Sequence, residues 1–103
     1  MLPQAFRMEV DDGDHAGVHV LRLHGELDLV SADGVQQALL ALAGSTVVAD
    51  LSNLEFIDSA GLSALLRARR SIETTGNRLE IRGARGATRR VFEAAGLADV
   101  LDD

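Results

Sequence analysis

VVADLSNLEFIDSAGLSALLRARR, residues Val47 to Arg70, carries the reading of the whole chain. Val47, Val48, Ala49 and Leu51 form a nearly continuous apolar run rich in β-branched residues, as in a strand that sits centrally or is covered on both faces. The cluster Asp50-Leu51-Ser52-Asn53 is expected to end it, because these polar types break regular structure. A connection from Ser52 to Ser59 follows. Beyond it Leu62, Leu65, Leu66, Ala68, Arg69 and Ile72 recur on one helical stripe, leaving Arg67, Arg70 and Glu73 for solvent. The helix is thus expected to start near Ala60.

Asp58 and Ser59 are both good N-cap residues, since a short side-chain oxygen can accept from the free N–H groups of a first helical turn. The sequence does not choose between them. Gly61, immediately after, admits a close backbone approach because it has no Cβ. Ser59, Ser63 and Arg67 fall at i, i+4 and i+8, on one face opposite part of the leucine stripe, so that face is expected in solvent. An exposed hydroxyl at a helix N-terminus is a reachable phosphorylation site, and a phosphate there meets the positive end of the helix dipole. Asp58 opposes that charge. By itself, though, an Asp-Ser pair before an apolar helix is ordinarily no more than a cap.

Composition narrows the classes. The 103 residues, 47% apolar with only 3% aromatic, suit a single domain over residues 1–103 with a core of Leu, Val, Ile and Ala. There is no cysteine, which excludes disulfides, thiolate zinc sites and thiol catalysis. Lysine is absent too, which removes any P-loop or Schiff-base lysine. A net charge of −6, with ten arginines scattered among sixteen carboxylates, argues against a nucleic-acid partner. No apolar stretch reaches the ~18 residues of a membrane span, and Met1 to Val10 lacks the plan of a signal peptide. A cytoplasmic protein without membrane contact is expected.

Working outward, Ala5 to Val10 alternates Phe6, Met8 and Val10 against Arg7 and Glu9, the pattern of a half-buried strand. Asp11 to Gly17 reads as a hairpin loop, with His15 solvated. Val18 to Leu23 is a second strand. His19 and His24 lie on its opposite faces, too few and too divergent for a metal site. Glu26 and Asp28 follow on a connection from Gly25 to Ser31, either as functional acids or as solvated loop residues. The next helix carries Val35, Ala38, Leu39 and Leu42 inward, with Ser31 as its expected N-cap and Gly44 closing it. After the central strand and helix, Thr75-Gly76-Asn77 is a helix stop. Asn77 to Arg82 is a strand burying Leu79 and Ile81, and Ala87 to Ala95 a helix with Val91, Phe92 and Ala95 inward. Gly96-Leu97 stops that helix, and a last turn follows.

The order β-β-α-β-α-β-α implies an α/β mixed four-stranded sheet: an antiparallel first pair, then parallel strands joined by right-handed crossovers, with helices packed mainly on one face. Both connections then emerge at the carboxyl edge of the parallel strands, where such folds bind. Asp28 and Ser59 would meet there.

Gly25-Glu26-Leu27-Asp28, then Val48 through Leu62 (VADLSNLEFIDSAGL), then Phe92-Glu93-Ala94-Ala95-Gly96-Leu97 closely resemble the STAS-domain anti-sigma factor antagonists of bacteria, over almost the whole chain. The resemblance implies a STAS fold and a partner-switching regulator rather than an enzyme. In that family the unmodified antagonist binds an anti-sigma factor and frees a sigma factor. The anti-sigma factor is typically also a serine kinase, which phosphorylates the antagonist and so ejects it, and a serine phosphatase resets the switch. Carried over, the phosphorylated residue is Ser59, and Asp28 and Asp58 match family acids beside it in partner or kinase recognition. Ser63, which stands where the family often has glycine, and Arg67 join the expected partner-binding surface because they share the helical face of Ser59. No cofactor is implied, and the free protein is expected to be a monomer. The same fold also serves as an accessory subunit of ABC-type lipid transport complexes, a second reading. A nucleophilic Ser59 would need an oriented base, and no histidine lies near it in sequence.

Overall fold

Leu21, Ala49 and Ile81 lie side by side in register across three strands, and all three are buried. Their neighbours Arg22, Asp50 and Arg82 line up equally well on the opposite face and stay at least partly exposed. Period-two alternation, carried in register from strand to strand, gives the sheet one apolar face and one charged face. The computed structural model describes residues 5–12, 17–42 and 46–102. The sheet has the order β1 (Arg7–Asp11), β2 (Val18–Leu27), β3 (Thr46–Ile57), β4 (Arg78–Arg82), with β1 antiparallel to β2 and the other pairs parallel. Helix α1 (Leu29–Ala41) packs on β2, α2 (Ser59–Thr74) on β3 and β4, and α3 (Gly86–Ala94) on β3, while α1 and α2 pack on each other. One apolar cluster runs through all of them, from Leu23 and Val35 to Leu65, Ile72 and Phe92.

The element order and strand directions match the expectation, and most departures lie at element ends. Met8 and Val10 point to the apolar side, opposite Leu23 and Leu21, yet remain 38% and 58% exposed. The helices seat on β2, β3 and β4, so the expected half-burial of β1 fails for want of a covering element. The strand expected to stop at Asp50–Asn53 continues to Ile57. Ser52 does not break it because its N–H and hydroxyl turn back onto the Asp50 carboxylate, at 3.0 and 2.7 Å. Pairing with β2 then resumes past one register shift at His24–Asn53 and, past a second after Gly25–Leu54, runs on to Leu27–Ile57. Residues 25–27 likewise belong to β2 and not to a connection. In α3 Phe92 is buried and Val91 packs half-buried on the core as expected, and Thr88 is buried as well, its hydroxyl donating to the Leu54 carbonyl at 3.2 Å. Ala95, expected inward, is the exposed C-cap.

The stops at Gly76 and Gly96 are found as expected. After α3, Leu97 N–H donates to Phe92 O at 2.8 Å and Gly96 N–H to Glu93 O at 3.0 Å, with Gly96 at φ +75. This double closure needs the left-handed conformation that glycine adopts without strain. The chain then makes a 3₁₀ turn at Ala98–Val100 and returns along β4, where Asp102 N–H donates to Ile81 O and its carboxylate accepts from Ile81 N–H, both at 2.8 Å. His15 and Gly44 lie outside the described residues.

The charged face makes acid stability a testable property. Partial burial works to raise the Asp50 pKa, but the backbone and hydroxyl hydrogen bonds of Ser52, together with Arg22 at 3.1 Å, outweigh it and hold the carboxyl below its ordinary value. Hydrogen bonding from Arg82, against a smaller opposing effect of burial, lowers Glu80 too. A carboxylate whose folded-state pKa is depressed contributes stability that is fully present above its unfolded value. That contribution is lost as pH falls through the folded one. The free energy of unfolding is therefore expected to hold at neutral pH and to drop below about pH 4. Asp50→Asn should flatten that drop in urea melts taken from pH 6 to pH 2.5. An unchanged slope would show that Asp50 is not one of the groups responsible.

Candidate functional site

Leu27 and Ile57 end the parallel strands β2 and β3 as register partners, and each is followed by one aspartate and then a helix. The two strand–Asp–helix junctions therefore lie side by side. Asp28 and Asp58 both have extended backbone, φ −131 and −104, as N-caps do. Asp28 Oδ1 accepts from Val30 N–H at 3.0 Å and Ser31 N–H at 3.3 Å, while Asp28 N–H donates to Ser31 Oγ at 3.1 Å. This is a reciprocal capping box. Ser31, expected as the cap, is instead its third-position partner, because the Asp28 carboxylate reaches the free N–H groups first and starts the helix earlier.

Asp58 settles the choice that the sequence left open. Its Oδ1 accepts from Gly61 N–H at 2.9 Å, so α2 is capped by Asp58 and begins at Ser59. Its Oδ2 accepts from Leu29 N–H at 3.2 Å, and its own N–H donates to Leu27 O at 3.1 Å. One residue thus caps α2 and ties the start of α1 to it. Gly61 makes that approach possible. A Cβ built there would fall 2.6 Å from Leu27 O and 2.7 Å from Leu27 Cγ, so the close backbone contact expected of this glycine is present. Losing the Asp58 carboxylate removes partners from both helix starts. Asp58→Ala is expected to cost about 1–2 kcal/mol, a fall in Tm of roughly 4–15 °C by thermal melting. A melt identical to wild type would show the clamp to be idle.

Ser59 is the first residue of α2 and is exposed. Ser59, Ser63 and Arg67 line one side of a cleft of about 380 Å³ between α1 and α2, and Leu29, Ala32, Asp33 and Gln36 line the other. The structure therefore brings the two serines and the arginine together in one groove. Asp28 and Asp58 stand at its end with their carboxylate oxygens turned to backbone N–H groups, so their first role is to build the site. The α1 wall was absent from the sequence reading. Leu29 and Val30 lie off the Val35–Leu39 stripe, and that mismatch between hydrophobicity and periodicity was the available signal. A larger cleft of about 590 Å³, between β3 and the start of α3, holds none of these residues. Its size does not outweigh the chemistry gathered at Ser59.

Chemically, the arrangement presents a hydroxyl at a helix N-terminus, flanked by two fixed negative charges and set in a groove with one cation. Among the described residues no hydrogen bond joins the Ser59 hydroxyl to a histidine or a carboxylate. His19 bonds to Asp12 at 3.4 Å, and His24 pairs with Glu9 on β1. Among the described residues no group of three His, Asp or Glu is placed to hold a metal, and no helix is long and apolar enough to cross a membrane.

A four-stranded α/β sheet with an antiparallel first pair, and a groove opening where β2 and β3 hand over to α1 and α2, is the class that the fold defines. Residues 7–102 match the STAS domain, and the chain belongs to that family. It is 28% identical over 98 residues to the anti-sigma F factor antagonist of Paenibacillus polymyxa, covering 91% of this chain and 84% of that protein. The anti-sigma factor antagonist SpoIIAA in its unphosphorylated form superposes with a TM-score of 0.76 at 26% identity, covering 96% of this chain and 87% of that one. The Bacillus cell fate determinant SpoIIAA in the phosphorylated form superposes with a TM-score of 0.67 at 27% identity, covering 96% and 90%.

Proposed function

We propose that the protein is an anti-sigma factor antagonist. In its unmodified form it binds an anti-sigma factor that is also a serine kinase, which frees a sigma factor; phosphorylation of Ser59 ends the binding, and a serine phosphatase restores it. Asp28, Asp58, Ser59, Ser63 and Arg67 form the surface that the partner meets, and the free protein is a monomer in the cytoplasm. The observation that carries this reading is the placement of Ser59: an exposed hydroxyl on the first residue of α2, beside a clamp that fixes two helix starts together. The relatives support it, being named as anti-sigma factor antagonists, and SpoIIAA has been solved with and without phosphate.

The physical logic is a surface switch that leaves the fold intact. A phosphate adds about −1.5 to −2 charges. In the free protein that charge sits in water at the positive end of α2, which tolerates it. Against a packed partner the same group would have to be desolvated next to the negative Asp58 and Asp28, and the complex would not tolerate it. Addition of the unmodified protein to a preformed complex of sigma factor and anti-sigma factor should release the sigma factor, seen as a separate peak in size-exclusion chromatography. Sigma factor that stays in its complex at saturating antagonist would refute the role.

A further inference from the structure

Three large apolar side chains stand in solvent around the end of the sheet that carries Ser59: Leu29 is 77% exposed, Val30 91% and Phe56 43%. Leu29 and Val30 open α1 just beyond Leu27, and Phe56 precedes Ile57, the register partner of Leu27. Isolated exposed aliphatic residues are ordinary. Leu29 and Val30, unlike Phe56 on the far face of β3, stand together at the start of α1, and Leu29 shares its groove with Ser59 and Ser63. Nor do they serve the helix. The N-terminus of α1 is already met by the Asp28 carboxylate, and the β-branched Val30 is a poor helix former. The carboxylates placed beside them are Asp58, which accepts from Leu29 N–H, Asp28, which accepts from Val30 N–H, and Asp33 in the Leu29 groove, against the cation Arg67 there.

We infer that Leu29 and Val30 are the apolar anchors on which the anti-sigma factor closes, seated in an apolar hollow that the partner rims with arginine or lysine. This rests on the function proposed above and adds where the affinity resides. Desolvated apolar anchors at the centre of an interface carry most of its binding energy, and charge complementarity at the rim sets its orientation. Asp28, Asp33 and Asp58 beside Leu29 and Val30 call for cations on the partner. Ser59 lies at the border of the anchored area, so a phosphate placed there enters the zone from which water is excluded. Anchoring and switching are then separate properties of neighbouring residues.

The test is calorimetric titration of the double variant Leu29→Ser, Val30→Ser with the kinase-type anti-sigma factor encoded nearest this protein's gene. Ser59→Asp and Val10→Ser, the latter an exposed aliphatic on β1, run in parallel. The double variant should bind about a hundredfold more weakly, Val10→Ser should bind as wild type does, and all should melt within a few degrees of it. Wild-type affinity in the double variant, with Ser59→Asp weakened, would overturn the anchor assignment and leave the partner reading standing. A wild-type dimer that the double variant loses, with anti-sigma affinity intact, would overturn it in favour of a second copy on this surface. No binding by the wild-type protein itself would overturn the anchors together with the function they rest on.

Discussion

Gly61→Ala lowers the melting temperature by roughly 5–20 °C, the shift expected when a core is overpacked by about 1–3 kcal/mol in a domain of this size. Helix propensity points the other way, since alanine is better than glycine inside a helix by ~1 kcal/mol. Contact geometry decides. The added methyl would stand 2.6 Å from a backbone oxygen, Leu27 O, and 3.1 Å from Ile57 Cγ1, so α2 must move away from the strand ends. That motion pulls on the Asp58 clamp and displaces Ser59, and binding to the anti-sigma factor is expected to weaken with stability. Gly34 in α1 is the matched control. A Cβ there meets nothing within 4 Å, so Gly34→Ala should raise Tm by a few degrees. Thermal melts of the two variants read the contrast, and a gain of stability in both would mean that α2 does not press on β2 as described.

If the proposed switch operates at Ser59, Ser59→Asp is expected to weaken binding to the anti-sigma factor by about two to three powers of ten, corresponding to ~3–4 kcal/mol. It leaves the fold alone, because a carboxylate in the first turn of α2 is neutral or mildly favourable for the free helix. The combination of lost affinity and retained Tm separates a surface switch from a folding defect. Calorimetric titration beside a thermal melt measures both. Native affinity in Ser59→Asp would count heavily against a charge-operated switch at this residue.

The fold was legible wherever periodicity and register agree. Leu21, Leu23, Ala49, Leu51, Leu79 and Ile81 alternate in the sequence and are buried in the structure, and the stops at Gly76 and Gly96 follow from backbone freedom alone. What escaped was non-local. Whether β1 is covered depends on where the helices end up, which nothing between Arg7 and Asp11 can announce. The continuation of β3 through Ser52 depends on a side chain folding back on Asp50 and on a partner strand that accommodates a register shift. Asp58 as the cap of α2 was one of two equal readings, and its second bond, to Leu29 N–H of another helix, had no local signal.

The candidate site divides the same way. Ser59, Ser63 and Arg67 share a groove because helical spacing put them on one face, and that spacing is written in the sequence. The opposite wall, from Leu29 to Gln36, comes from tertiary packing of α1 against α2. The negative charges of Asp28 and Asp58 were visible, but their use as backbone acceptors was not. Both aspartates thereby acquire a positioning role alongside any contact with a partner.

The first measurement to make is intact-mass spectrometry of the protein before and after incubation with ATP and candidate kinase-type anti-sigma factors, with Ser59→Ala in parallel. A gain of one phosphate in the wild-type protein that is absent from Ser59→Ala is the expected result, and it identifies the switch residue and the partner together. A phosphate that persists in Ser59→Ala would move the modification to another hydroxyl, Ser63 first, and contradict the assignment of Ser59. No phosphate from any candidate would contradict the kinase switch itself.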